Sequence, residues 1–162
     1  VQIAIPFTEA LALATAREPL PPFVRGVRSE GSVVHAEVDL RQIPDAPTAL
    51  RLAAAAVGTV AVTARLAEFS GGVATIVVTA HARALPAHKL LGFMSGPLDA
   101  ALRKQGLPAG LVEIRHGEPD PVMAVRVQDA VAAKAEGVTV TGLGLSGDVI
   151  YAAAEIGRVR LR

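Results

Sequence analysis

The chain has 162 residues, 51% of them hydrophobic, 3% aromatic and 19% charged, too apolar for disorder and enough for one domain with its own core. A globular chain of this length hides about 70% of its unfolded surface, so it needs no disulfide or metal staple. The absence of cysteine removes thiol catalysis and thiolate metal sites and leaves the redox compartment open. Sixteen basic against fifteen acidic side chains leave a net charge of +1, with no excess to attract nucleic acid and only five aromatics to stack on bases.

No stretch reaches the ~20 uninterrupted apolar residues of a membrane-crossing helix, so a soluble chain is expected. No basic, then apolar, then small-residue leader stands at Val1, which leaves export undecided. In chain order, Gln2 to Ile5 reads as a short strand, followed by a helix with Thr8 as its N-cap and Pro19, Pro21 and Pro22 beyond its end. Val24 to Arg28 and Val33 to Leu40 form a hairpin in which Val34, Ala36, Val38 and Leu40 face one way and His35, Glu37 and Asp39 the other. Asp45 or Ala46 can cap a second helix that has Pro47 in its first turn and runs through Leu50 and Leu52 to a stop at Gly58.

The next hairpin turns at Ser70-Gly71-Gly72; Val60, Val62, Ala64 and Leu66 alternate with polar residues on its first strand, and Ile76, Val78, Ala80 and Ala82 on its second. From Ala87 to Gln105 the period becomes three to four, predicting a long amphipathic helix that Gly96-Pro97 should kink. Leu111 to Arg115 and Val122 to Val127 form a third hairpin around Gly117-Glu118-Pro119-Asp120. Asp129 to Glu136 reads as a short helix closed by Gly137; a fourth hairpin spans Val138 to Ile156, and a last strand Arg158 to Arg162. The order helix, hairpin, helix, hairpin occurs twice, an internal duplication with halves at about 1–84 and 85–162 in a single domain. The expected class is α+β, with a strongly twisted antiparallel sheet wrapped around the long helix.

Chemistry-bearing motifs are sparse. Gly142-Leu143-Gly144-Leu145-Ser146-Gly147 has the spacing of a dinucleotide fingerprint but precedes a strand, so a glycine-rich hairpin explains it. His116, Glu118 and Asp120 cluster around a proline-rich turn and fall short of a convincing metal site. His81 and His88 read as solvated, the serines lack a nucleophile elbow, and Glu37 and Asp39 stand on a polar strand face. No catalytic residue, metal or cofactor is assigned. Arg158, Arg160 and Arg162 can meet lipid phosphates from one strand face, although positive charge on a terminal strand is also the ordinary guard against sheet-to-sheet pairing.

The most informative feature is diffuse. Segments such as Val60-Ala61-Val62 and Tyr151-Ala152-Ala153-Ala154 are apolar even at outward positions, so the sheet wants a second apolar partner.

Several segments together resemble small bacterial envelope proteins of the tubular lipid-binding (TULIP-like) superfamily. They are Ile3-Ala4-Ile5-Pro6-Phe7-Thr8-Glu9, Leu20-Pro21-Pro22-Phe23-Val24, Val38-Asp39-Leu40, the helix Leu90 to Gln105 with Leu107-Pro108-Ala109-Gly110-Leu111, and Val138-Thr139-Val140-Thr141-Gly142-Leu143. The resemblance implies a curved sheet around a long helix, a groove for acyl or isoprenoid chains, no catalytic residues and a place in the cell envelope.

The function expected from the sequence is non-enzymatic binding of an apolar small molecule or lipid. Leu90, Phe93, Met94 and Leu98 of the helix would face Val60, Val62, Ile76 and Val78 of the sheet. At ~0.8 kcal/mol per methylene, ten buried carbons offer about 8 kcal/mol before entropy costs, enough without a polar anchor. Peripheral membrane contact fits this reading. The alternative is an interaction module that homodimerises through an apolar sheet face and holds no ligand.

Overall fold

Alternating strands separated by glycine turns dictate a protein built of hairpins, and a computed structural model describes residues 1–81, 85–117 and 120–162 in those terms. The elements are β1 (Gln2–Pro6), α1 (Phe7–Ala14), β2 (Val24–Glu30), β3 (Val33–Asp39), a 3-10 turn (Leu40–Gln42), α2 (Thr48–Val57), β4 (Thr59–Ser70) and β5 (Val73–Ala80). They continue with α3 (Ala87–Lys104), β6 (Val112–Arg115), β7 (Val122–Arg126), α4 (Val127–Lys134), β8 (Ala135–Ser146) and β9 (Val149–Leu161). The fold is α+β with antiparallel sheets: six strands in the order β2-β3-β4-β5-β7-β6, and three in the order β1-β9-β8. Ala82 and Arg83, assigned from the sequence to the end of the second hairpin, and Glu118 and Pro119 of the third turn lie outside the described residues.

Helix, hairpin, helix, hairpin does run twice along the chain, but the halves enter the sheets differently. Hairpins β2–β3 and β4–β5 pair with each other through β3 and β4, whereas β7 joins β5 and β9 joins β1.

Several boundaries depart from the sequence reading, among them the start of α2, which has Pro47 as its N-cap in place of Asp45 or Ala46; three have a local reason. Helix α1 starts at Phe7 without a side-chain cap, because the Phe7 N–H donates to the carbonyl of Asp148 at 2.8 Å and a tertiary contact replaces the Thr8 cap. Helix α4 ends at Lys134, and Gly137 is not its stop but an irregular position inside β8. Gly137 has φ +85, and a Cβ there would lie 2.2 Å from the carbonyl oxygen of Arg158, so the strand pair tolerates only glycine. The separate last strand is absorbed into β9, which runs on past Ile156 through a register shift. Pro97 stands inside α3 without ending it.

The strands of the large sheet have two unlike ends. The tips of β2–β3 and β4–β5 lie together at one end, while the 3-10 turn and α2 carry the chain from β3 to β4 at the other. At that second end Phe23, Val38, Leu40, Ile43, Leu50, Val60, Leu85, Leu90 and Met94 form one core cluster. Its centre is dry: Leu40 and Leu90 are 1% exposed and Leu50 is 0%. Burying each such leucine is worth about 1.5–3 kcal/mol.

The three-stranded sheet is pinned to the hairpin-tip end by two side chains. Asp148, in a Gly147-Asp148 turn with φ +56 and +63, accepts from Ser29 Oγ at 2.9 Å and from the Gly31 N–H at 2.8 Å. Gln128 of α4 donates to the Val138 carbonyl at 2.9 Å and accepts from the Val140 N–H at 2.8 Å, so its amide sits on the β8 edge as a strand's peptide group would. Its own backbone N–H donates to the carbonyl of Gly72 in the β4–β5 turn at 3.0 Å.

Candidate functional site

Cross-strand register shows which side chains share the inner face of the large sheet. Val38 stands opposite Val60, and Ala36 opposite Val62, itself opposite Ala80. Val34 stands opposite Ala64, itself opposite Val78. One row further toward the hairpin tips, Leu66, Ile76, Met123 and Ile114 stand side by side on β4, β5, β7 and β6. Three strand spacings of ~4.8 Å make that row about 14 Å long. Val38 and Val60 are sealed, but all four members of the Leu66–Ile114 row are only half-buried.

The eight residues expected to line a groove therefore divide. Leu90, Met94 and Val60 belong to the closed core, and Phe93, Leu98 and Val62 pack against it half-buried. Val78 is buried outside that cluster, and Ile76 belongs to the half-covered row. Helix α3 runs from the core, where Leu90 and Met94 lie, to the hairpin-tip end, where the Gln105 carbonyl accepts from Lys134 Nζ at 2.7 Å. Along its second half Leu98, Ala101 and Leu102 stay half-buried. Leu66, Met123 and Ile114 were missed as site residues because their meeting depends on β7 docking beside β5, a long-range pairing that no local period reveals.

Two of the open clefts among the described residues lie elsewhere. One, about 370 Å³, is bounded by the 3-10 turn and α2, with Leu40, Ile43 and Ala54 below Arg41, Asp45 and Arg51. The other, about 360 Å³, separates the tip of β4–β5 from β8, between Phe69, Gly72, Gln128 and Thr139 to Thr141.

Polar groups are consumed by structure. Asp39 is 1% exposed; it accepts from Arg41 Nε at 3.0 Å and from the Arg41 backbone N–H at 3.1 Å, with Arg25 3.8 Å away. The Arg41 side-chain hydrogen bond, above all, holds its carboxyl below the ordinary carboxylate range against the opposing effect of burial. Asp99 is lowered first by the Gly110 N–H and then by Arg103. Asp120 accepts from Thr79 Oγ1 at 3.0 Å, so one member of the candidate metal cluster is engaged, while Glu118 lies outside the described residues. Among the described residues no group of three His, Asp or Glu converges on a point. Gly142 and Gly144 lie within β8 and Gly147 in its turn, so a strand, not a helix, follows the glycine fingerprint.

What this arrangement offers is an apolar surface with a closed floor: sealed aliphatic packing at one end of the strands, a half-covered aliphatic row at the other, and a helix spanning both. Comparison with known proteins returns no match to a family model, a curated protein or a solved structure.

Proposed function

We propose that the protein binds an apolar ligand without catalysis, an acyl or isoprenoid chain lying across Leu66, Ile76, Met123 and Ile114 and beneath the second half of α3. The observation that carries this reading is the half-buried state of that whole row beside a fully sealed core. Large aliphatic side chains left in contact with water gain about 25 cal/mol for each Å² that a ligand covers. The accessible surface agrees: 9522 Å² for 16.6 kDa, against about 7,600 Å² for a compact globular monomer of that mass. The register shifts in β2–β3, β4–β5 and β8–β9 increase local twist and favour a sheet curling about α3. The TULIP-like resemblance supports the same picture, with the cell envelope as its compartment and the repeated element order as the trace of a duplication.

Titration with a fluorescent fatty acid tests this. Saturable binding that Leu66→Asp abolishes, with the circular dichroism spectrum unchanged, supports the proposal; binding indifferent to Leu66→Asp and Ile76→Asp refutes it.

A specific observation favours a second reading. Ile3 (47% exposed) and Ile156 (54% exposed) lie on one face of the small sheet with Ala152 and Ala154, an apolar patch suited to a homodimer. Sedimentation at rising concentration separates the two, because this reading requires a dimer that Ile156→Lys dissolves.

A further inference from the structure

Three hydroxyls and an aromatic ring converge on the cleft between the β4–β5 tip and β8. Phe69 and Ser70 close β4, Thr139 and Thr141 belong to β8, and Gln128 of α4 completes the lining. Ser70, Thr139 and Thr141 are exposed, and the hydroxyl hydrogen bonds among the described residues are made elsewhere, by Thr15, Ser29, Thr79 and Ser95. The Gln128 amide uses one donor on the Val138 carbonyl and one lone pair on the Val140 N–H, which leaves one of each. Both walls are irregular where they meet the cleft. On β4, Leu66 stands opposite Ile76 and Glu68 opposite Thr75, so Ala67 is an extra residue shortly before Phe69. On β8, Val140 stands opposite Ala154 and Gly142 opposite Ala153, so Thr141 is itself the extra residue. Such bulges re-aim side chains and recur beside functional sites. The walls are also held together: the Gln128 N–H donates to the Gly72 carbonyl at 3.0 Å, and a Cβ on Gly72, φ +78, would lie 2.6 Å from the Gln128 Cβ.

Exposed serines and threonines are ordinarily satisfied by water. Solvation alone does not gather them, from two distant parts of the chain, around an aromatic ring with no charged side chain in the lining. The cleft beside α2 is the contrast, since Arg41, Asp45 and Arg51 all line it. In the tip cleft an anion or a cation finds no counter-charge, and a purely aliphatic ligand leaves the hydroxyls unbonded. A pyranose ring meets both demands, with hydroxyls around its rim and C–H faces that stack on an aromatic ring. We propose that this cleft binds a neutral sugar ring, stacked on Phe69 and hydrogen-bonded to Ser70, Thr139 and Thr141. Its volume, about 360 Å³, is at the lower end of the ~300–1,000 Å³ usual for small-molecule sites. Phe69 stands opposite Ala74, on the strand face that carries Ile76 two residues on, so the cleft borders the apolar row. The ring can therefore arrive free in solution or as the head of an amphiphile whose chain lies on that row; the site needs no lipid to be filled.

Amide chemical-shift titration of the whole chain with methyl β-glucoside and with maltose tests it. One or both should shift Gly71, Gly72, Thr139 and Thr141 saturably, and about 0.5 M salt should leave the affinity unchanged, since no charge takes part. Thr139→Val with Thr141→Val, which keeps the β-branched shape, should weaken binding about tenfold, roughly threefold for each hydrogen bond removed. Phe69→Leu should weaken it a few-fold, and Thr63→Val, elsewhere on β4, should change nothing. If the double variant fails to fold, Thr141→Val alone should still weaken binding roughly threefold. Octyl β-glucoside below its micelle concentration separates the two sources: an affinity well above that of methyl β-glucoside, and lost in Leu66→Asp, identifies the head of an amphiphile, whereas equal affinity identifies a free sugar. No saturable shift with either sugar, the same shifts with glycerol, or undiminished binding by the folded double variant overturns the proposal. Fatty-acid uptake by a protein that ignores both sugars overturns this site alone and leaves the apolar row standing; sugar binding without fatty-acid uptake does the reverse.

Discussion

The two ends of the six-stranded sheet use the same residue types to different effect. At the α2 end Val38 and Val60 meet Leu40, Leu50, Leu90 and Met94 and lose nearly all contact with water. At the hairpin-tip end, on the same face of the same sheet, Leu66 and Ile76 stay half-exposed beside Met123 and Ile114. What differs is the cover. The first end has α2, Phe23 and the start of α3 packed over it, whereas the second is held to the small sheet through hydrogen bonds at Asp148 and Gln128. Apolar character in a strand therefore does not by itself distinguish core from binding surface; the element that arrives from elsewhere in the chain decides.

Substitutions can break this contrast. The largest difference is expected for buried charge: Met94→Asp places a carboxylate where the side chain is 5% exposed and should prevent folding, whereas Leu66→Asp should fold and lose only ligand. Size-exclusion chromatography and circular dichroism of the two variants check this. Next, Leu50→Ala should destabilise by about 2–5 kcal/mol in urea titration, and Ile76→Ala by clearly less, because its side chain is already half in water. Equal losses would mean that the hairpin-tip end is core.

A smaller effect sharpens the comparison from the other side. Gln128→Ala removes two hydrogen bonds to β8, about 1–3 kcal/mol. Amide exchange should quicken first at Val140, whose N–H it caps, while the α2 end stays protected. Smallest is a dependence on acid. Because Asp39 titrates lower in the folded protein than in the unfolded chain, its contribution is whole above the unfolded value of ~3.9 and is lost as pH falls through the lower folded value. Stability measured from pH 5 to pH 2 should fall less steeply in Asp39→Asn.

Local signals carried most of the secondary structure and little of the site. Alternation over Val60 to Leu66 and Ile76 to Ala80 located β4 and β5 because period two is a property of each strand alone. Gly58 stopped α2 as expected, taking φ +75 with its N–H on the Ala54 carbonyl. Gly137 misled, because a helix stop and an irregularity in a strand call for the same residue, and only the approach of the Arg158 carbonyl distinguishes them. For the site, the helix residues were read from spacing, but spacing cannot tell a residue that lines a groove from one that fills it. Met94 and Leu98 lie one helical turn apart on α3; Met94 is sealed by the core cluster and Leu98 is half-covered beside it. The row Leu66, Ile76, Met123, Ile114 required the pairing of β5 with β7, set by contacts nearly fifty residues apart.

The central claim, that the half-covered end of the sheet holds an apolar chain, is tested most directly by mass spectrometry of the purified protein under native conditions and again after organic extraction. The account predicts a co-purifying apolar molecule at about one per chain, retained by the wild-type protein and absent from Leu66→Asp. A wild-type protein that is empty, and that also fails to take up an apolar fluorescent probe, would contradict it and leave the small-sheet dimer as the better reading.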